Sequence, residues 1–338
     1  MIWMSWRQFR LQALVGALVL GALAAYLVVT GLDIRDAHDG YLAQCRATGD
    51  CAAALGRLVG DHRTRLLLLA GVLGLVPVLI GMFWGAPLIA RELEAGTHRL
   101  AWNQSVTRRR WLAVRLATVV LAAMLVAAVA SALLSWAAAP VDTIAGDRFG
   151  TVNFGARALS PIGQAAFATV LGAVTGLLMR RTLPAMAVSG LLVLVTLFAV
   201  PNAVRPHLMP ARHETRPMTA ETIDAAHGLG TLGSAPVLKG IEVPGAWVTS
   251  VSDLLTADGR PLDPGVFDDC LMRAPKTGAT GTFGDSSPCL AAHDLHLDIA
   301  YQPNGRFWTF QFLETALYLL LTALVSALAL WRIRYTSR

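Results

Sequence analysis

Residues 66–90 read LLLLAGVLGLVPVLIGMFWGAPLIA and contain no charged side chain. A helix needs roughly 20 mostly apolar residues to cross the hydrocarbon core of a membrane. This stretch therefore predicts a transmembrane helix. The rest of the chain has the same character: 55% of its 338 residues are hydrophobic, 15% are charged and the mean hydropathy is +0.54. An ordinary soluble protein has about 25% charged residues.

Apolar runs of similar length recur on both sides of this stretch. They cover residues 11–32, 111–139, 161–179, 183–200 and 310–331. The runs that end at residue 179 and begin at residue 183 are so close that they predict a tight helical hairpin, with a single re-entrant pair as the alternative. We expect an all-α polytopic membrane protein with six transmembrane helices. The first run is full length and no small-residue cleavage site follows it, so no cleavable signal peptide is expected.

The orientation follows from the basic residues. With both termini in the cytoplasm, the cytoplasmic pieces hold 13 of the 28 Lys and Arg residues and two acids, Glu92 and Glu94. The outer pieces are several times longer and hold 15 basic and 19 acidic residues. Short cytoplasmic loops are enriched in Lys and Arg, so we expect cytoplasmic N- and C-termini. The net charge of +6 then belongs to the cytoplasmic membrane surface, and no nucleic-acid partner is expected.

The expected domain organisation follows from these spans. Residues 1–200 carry the first five helices, together with an outer loop at 32–65 and a cytoplasmic segment at 91–110. Residues 201–309 are polar and rich in Gly and Pro, which predicts a small mixed extracellular domain between the fifth and sixth spans. Residues 310–338 are the sixth helix and a cytoplasmic tail. Within the domain, short helices are expected at 219–227 and 264–273 and a half-buried strand at 295–301.

All four cysteines lie in the predicted outer pieces. Cys45 and Cys51 are in the first loop, and Cys270 and Cys289 are in the large domain. Cysteines confined to an oxidising face predict disulfides. Because each piece has its own pair, we expect Cys45–Cys51 and Cys270–Cys289, although four cysteines allow three pairings. Zinc binding is disfavoured because the sequence has no compact Cys/His cluster, so no metal site is expected.

Motifs for catalysis are missing from the sequence. It has no GxxxxGK[ST] phosphate loop, no HExxH and no GxSxG, so we expect neither enzymatic activity nor a bound cofactor. His293 and His296 are interpreted as solvated surface. Glu314 is the single acid in an apolar run, where a carboxylate is costly and usually faces protein or water. The sequence leaves two roles for it: a side chain that reaches the membrane interface, or one that lines a translocation path.

The cytoplasmic segment 91–110 reads RELEAGTHRLAWNQSVTRRR. An acidic turn is followed by a bend at Gly96-Thr97 and then by an amphipathic stretch with Leu100 and Trp102. As a pattern alone, it predicts a basic helix on the membrane surface.

A family resemblance adds to this pattern. The Glu-x-Glu-x-Gly-Thr turn of residues 92–97, followed by Arg99-Leu100 and residues 105–108, resembles the first cytoplasmic loop of type-2 ABC exporter permeases. It is most similar to actinobacterial permeases that are encoded beside a separate ATPase. The resemblance extends along the chain through residues 6–8, 301–303 and 306–308, and an excess of 26 Arg over 2 Lys suits a genome of high GC content.

The resemblance implies a non-catalytic permease subunit in a bacterial plasma membrane. Two ABC ATPase subunits would bind ATP and Mg²⁺ and dock below a homodimer of this chain, which would export an amphiphilic drug, lipid or peptide. The implied coupling residues are Arg91, Glu92, Glu94, Gly96, Thr97, Leu100 and Trp102. Two other functions stay open: a proton-coupled secondary transporter, and a membrane sensor with an extracellular ligand domain.

Overall fold

The structure, a computed structural model, describes residues 2–96, 107–146, 148–224, 226, 228–232, 235–239, 243, 245–272 and 286–332. The chain divides into two compact units. The helical unit comprises Met1–Leu208 and Phe307–Arg338, and the sheet unit comprises Met209–Arg306. Residues 201–208 were predicted to begin the outer domain, but they pack with the helices instead, because the fifth helix continues past its apolar run.

The described helices are, in chain order, α1 (Ile2–Thr48), α2 (Cys51–Gly74), α3 (Val76–Ile80), α4 (Ala86–Glu94), α5 (Arg108–Ala145), α6 (Thr151–Ala156), α7 (Ser160–Met179), α8 (Thr182–Ala199), α9 (Ala220–Asp224), α10 (Pro264–Met272), α11 (Ser286–Ala291) and α12 (Phe307–Arg332). The described strands are β1 (Arg212–Pro217), β2 (Gly228–Leu232), β3 (Ala235–Lys239), β4 (Ala246–Val251) and β5 (His296–Pro303). Among the described residues, six helical segments are long and apolar enough to cross a membrane, as expected.

Residues 32–65 do not form the loop that was predicted. α1 is a single helix of 47 residues, about 70 Å long and so far longer than the hydrocarbon core. The chain turns at Gly49 and Asp50, and α2 then runs back beside α1. The Asp50 carboxylate caps α2 by accepting a hydrogen bond from the Ala53 N–H at 3.1 Å. The charges that suggested a loop lie on these helices, where Arg65 and Asp33 pair at 3.7 Å.

The second span is built from α2, α3, a π-helical turn and α4. The π-turn covers Gly81–Gly85. Pro87, in the first turn of α4, has no N–H to donate to the carbonyl of residue 83, so the ordinary helical bond cannot form there and the turn widens. The π-turn lies where this span contacts α7.

α7 lies at the centre of the helical unit. In the most apolar stretch of this helix, 78% of the residues are buried inside the protein. The corresponding share is 17–44% in the other five candidate spans. It crosses the second span through two glycines four residues apart: Gly172 faces Gly81 and Gly85, and Gly176 faces Ala86 and Ala90. A Cβ added at Gly176 would lie 2.5 Å from the Ala86 carbonyl oxygen. Glycine allows this backbone approach, which packs two helices in a membrane without any hydrophobic driving force between them.

The sheet unit has a three-stranded antiparallel sheet in the order β1-β5-β4 and a separate β2-β3 hairpin. β5 is the predicted strand, and α9 and α10 fall within the two predicted short helices. Its core is formed by buried side chains from the sheet and the helices: Phe267, Leu290, Leu295, Leu297 and Ile299. The unit thus has an apolar centre of its own.

Both expected disulfides are present. Cys45 and Cys51 join the end of α1 to the start of α2 with a Cα separation of 4.4 Å. Cys270 and Cys289 join α10 to α11 at 5.5 Å. The second bond closes a loop of about 20 residues, which stabilises a fold by about 3 kcal/mol in the loop-entropy treatment.

Candidate coupling site and buried ion pair

The coupling turn, residues 91–96, ends α4 and therefore the second span. Gly96 has a φ of +69°, and no atom of the described residues lies within 4 Å of where its Cβ would be. The constraint at this position is therefore the backbone conformation, which glycine adopts readily and a β-branched residue does not. This agrees with the bend that the sequence predicted. Thr97, Leu100 and Trp102 lie outside the described residues.

Glu92 binds an arginine of the third span. Its Oε1 lies 2.5 Å from Nη2 of Arg115, and the two side chains are only 15% and 8% exposed. The Arg115 guanidinium also lies 4.7 Å from the Trp111 ring centroid and donates to the Leu88 carbonyl at 3.4 Å. Glu92 therefore ties the end of the second span to the first turns of α5.

Glu94 binds the start of the fifth span. Its Oε2 accepts hydrogen bonds from the backbone N–H of Thr182 at 2.9 Å and from the Thr182 hydroxyl at 2.6 Å. Thr182 is the first residue of α8, so the Glu94 carboxylate takes up one of the free N–H groups at that helix end and lies near its positive dipole.

These contacts identify the binding partners of the two acids in the coupling turn. Glu92 pairs with Arg115 and Glu94 binds Thr182, and both of these partners are distant in sequence. The side chain of Arg91 is exposed. Contact between the turn and an ATPase stays a prediction.

A second polar site is buried between the fifth and sixth spans. Nε of Arg205 lies 2.7 Å from Oε2 of Glu314, and both side chains have no exposed surface. Arg205 belongs to the short 3-10 turn Arg205–His207 that continues α8. The sequence offered an interfacial role for Glu314, but a fully buried carboxylate does not reach the membrane surface; a role in the translocation path stays a prediction.

α7 completes the buried polar cluster, which we define as Ser160, Gln164, Arg205, Gln311 and Glu314. The Ser160 hydroxyl donates to Oε1 of Glu314 at 2.7 Å and accepts from the Gln164 amide at 2.9 Å. Oε1 of Gln311 accepts from the backbone N–H of Ser160 at 2.8 Å. Three spans therefore meet through hydrogen bonds in a region where water is scarce.

An aromatic ring also contacts Arg205. Its guanidinium lies 3.9 Å from the Phe154 ring centroid, a cation–π geometry that partly compensates for the lost hydration. Nη1 of Arg205 and the hydroxyl of Tyr318 are buried and have no hydrogen-bond partner among the described residues. A buried ion pair needs compensating contacts such as the Phe154 ring, since the cost of desolvating two charges can exceed their attraction.

Sequence reasoning missed Arg205, Thr182 and the pairing of Arg115. Arg205 was assigned to the outer domain because the fifth apolar run ends at residue 200 and the segment that follows is polar and rich in Gly and Pro. The signal that could have found it is Glu314 itself: an acid inside a span requires a partner, and Arg205 is the first basic residue after the fifth apolar run.

Comparison with known protein families identifies a related family. The family model described as ABC-2 membrane transporter related matches residues 17–205, more than half of the chain. The match covers most of the predicted first span, the next four spans, the coupling turn and Arg205. No curated protein and no solved structure shows significant similarity to the chain.

Proposed function

The chain belongs to the ABC-2 membrane transporter related family, and from this membership we propose that it is the permease subunit of an ATP-driven exporter. The observation that carries the proposal is the family match over the first five spans in a chain whose sequence has no phosphate-binding loop. A separate ABC ATPase subunit would bind ATP and Mg²⁺ and hydrolyse the nucleotide. This chain would form the path and catalyse no reaction.

We place both termini and the coupling turn in the cytoplasm of a bacterial cell, and the sheet unit outside the plasma membrane. The concentration of basic residues in the short loops supports this orientation. The disulfides support it independently, because Cys45–Cys51 and Cys270–Cys289 would then share the oxidising side of the membrane.

The contacts of the coupling turn suggest how a movement of the ATPase would reach the spans. The turn continues the second span, Glu92 binds the third and Glu94 binds the fifth. A force on the turn would therefore act on three spans together. At the other end of α8, the Arg205–Glu314 pair ties the fifth span to the sixth. We infer that the helical unit moves as one body during transport.

The translocation path would then lie between two copies of the chain. α7 is packed on most sides, so the middle of one helical unit is a core of side chains and not a channel. A homodimer with two ATPase subunits supplies a space between units that nucleotide binding can open and close as a shift between two populations.

An apolar groove supports an amphiphilic substrate. It lies between α1, the second span and α5, with a cavity volume of about 430 Å³, which is within the usual range for small-molecule sites. Its walls include Leu23, Leu79, Phe83 and Trp84. Such walls suit the apolar part of a drug, lipid or hydrophobic peptide.

The coupling turn provides the test of this function. Glu94→Ala removes the acceptor for Thr182, and Gly96→Val places a β-branched residue at positive φ, which costs on the order of 1–2 kcal/mol in this conformation. We expect both variants to insert and express normally but to lose most of the binding of the partner ABC ATPase, or to support ATP hydrolysis without export. Pull-down of that ATPase and transport into vesicles would measure the two effects.

Two further variants serve as controls. Glu94→Gln keeps an oxygen that can accept from Thr182, so it should retain most of the coupling. His293→Ala changes an exposed residue of the sheet unit and should leave both assays unchanged. If Glu94→Ala and Gly96→Val bound the ATPase and exported like the wild type, the turn would be an ordinary loop and the proposed coupling would be wrong.

A further inference from the structure

A second, partly charged cavity lies at the end of the spans opposite the coupling turn. It has a volume of about 170 Å³ and lies between α5, the segment around α6 and the start of α12. Its lining includes two arginines, one acid and two aromatic residues: Arg148, Arg157, Asp142, Phe307 and Trp308. The charged residues of the lining thus carry a net charge of +1.

Arg157 is built into this cavity in a way that leaves a donor available. Its side chain is 7% exposed, and its Nη1 donates to Oδ1 of Asp142 at 2.6 Å. Its Nε is buried and has no hydrogen-bond partner among the described residues. A guanidinium has two edges that can bind an oxyanion, and the Asp142 contact takes Nη1, which belongs to only one of them. The edge that contains Nε faces no acceptor of the described protein.

The other wall is aromatic and leads toward the lipid. Phe307 packs edge-on against Phe149, with ring centroids 5.6 Å apart, and against Trp308 at the same separation. Trp308 is 56% exposed, and Phe312, one helical turn further along α12, is 62% exposed. Residues four apart lie on the same helix face, so an apolar strip begins at the cavity. Tryptophan at a span end is typical of the headgroup level of a bilayer.

We propose that this cavity binds the phosphate of an anionic phospholipid, with Arg148 and Arg157 on the headgroup and the acyl chains along Trp308 and Phe312. The unpartnered Nε, the excess of positive charge and the apolar strip are the three features that such a ligand needs together. A free phosphate would use only the first two. The inference concerns binding and holds whether or not the lipid is transported.

Native mass spectrometry of the full chain in mild detergent tests the proposal, with phosphatidylglycerol, phosphatidylcholine and inorganic phosphate as probes. We expect one phosphatidylglycerol to be retained per chain in preference to phosphatidylcholine. Arg148→Gln should weaken its retention about tenfold, the loss of roughly one charge-assisted hydrogen bond. Arg157→Lys, which keeps the charge beside Asp142 but loses the planar fork, should weaken retention similarly.

Arg57→Gln, at an exposed position on α2, is the matched control and should have no effect. Equal retention of the two lipids would overturn the proposal, as would retention that neither Arg148→Gln nor Arg157→Lys reduces. Inorganic phosphate that binds as tightly as phosphatidylglycerol would show an anion site and refute the lipid assignment.

Discussion

Glu314→Ala should lower the free energy of unfolding of the chain in detergent by about 3–5 kcal/mol, because it leaves the Arg205 guanidinium buried without its counter-charge. Both side chains are fully buried, and their charged atoms lie 2.7 Å apart. The substitution also removes the acceptor of the Ser160 hydroxyl. Chemical denaturation followed by tryptophan fluorescence would measure the loss. Wild-type stability of the variant would mean that the pair is hydrated.

The double variant Arg205→Met/Glu314→Leu separates structure from transport. Apolar residues of similar volume often replace a buried ion pair at little cost, so we expect the double variant to recover most of the lost stability. If the helical unit moves as one body, it should also export its substrate. A proton-coupled transporter would need the ionisable group at residue 314, and a stable double variant that does not transport would favour that alternative.

Gly172→Ala should prevent the normal packing of α7 against the second span. The added Cβ would overlap the Gly81 carbonyl oxygen and lie 2.8 Å from the Ala86 nitrogen. These are backbone atoms, so no side-chain rotation relieves the contact. Overpacking of this kind costs about 3 kcal/mol. We expect a lower thermal transition in detergent and a lower yield of folded protein, both measured by fluorescence-detected size exclusion.

Gly71→Ala adds the same methyl group at a position where no atom of the described residues lies within 4 Å. It should be neutral or slightly stabilising, because alanine favours the helix over glycine. Equal behaviour of the two alanine variants would show that the α7 crossing is looser than its backbone distances indicate.

The spans could be predicted because the membrane fixes their length. Residues 161–179 and 183–200 were expected as a tight hairpin, and the structure has α7 and α8 as separate helices with only Arg180 and Arg181 between them. Both helices are long and apolar enough to cross a membrane. The disulfide pairs were also predictable, since each lies within one stretch of the sequence.

Other features were hidden for physical reasons. A helix that extends into water has no apolar run, so residues 32–65 resembled a loop although α1 and α2 continue through them. The partners of Glu92 and Glu94 come from other spans, and local sequence contains no signal for contacts between residues 23 or 88 positions apart. Arg205 was hidden by the nearby prolines, which are accommodated in the π-turn Val200–Val204 and in the 3-10 turn Arg205–His207.

Measuring ATP hydrolysis in lipid nanodiscs tests most directly whether this chain is the permease and a separate subunit is the ATPase. The highly purified chain would be assayed alone and together with its partner ABC ATPase. We predict no hydrolysis by the chain alone, and vanadate-sensitive hydrolysis that the chain stimulates once the ATPase has bound. Robust vanadate-sensitive hydrolysis by the single chain would contradict its assignment as a permease subunit, as would an ATPase whose activity and membrane attachment do not depend on the chain.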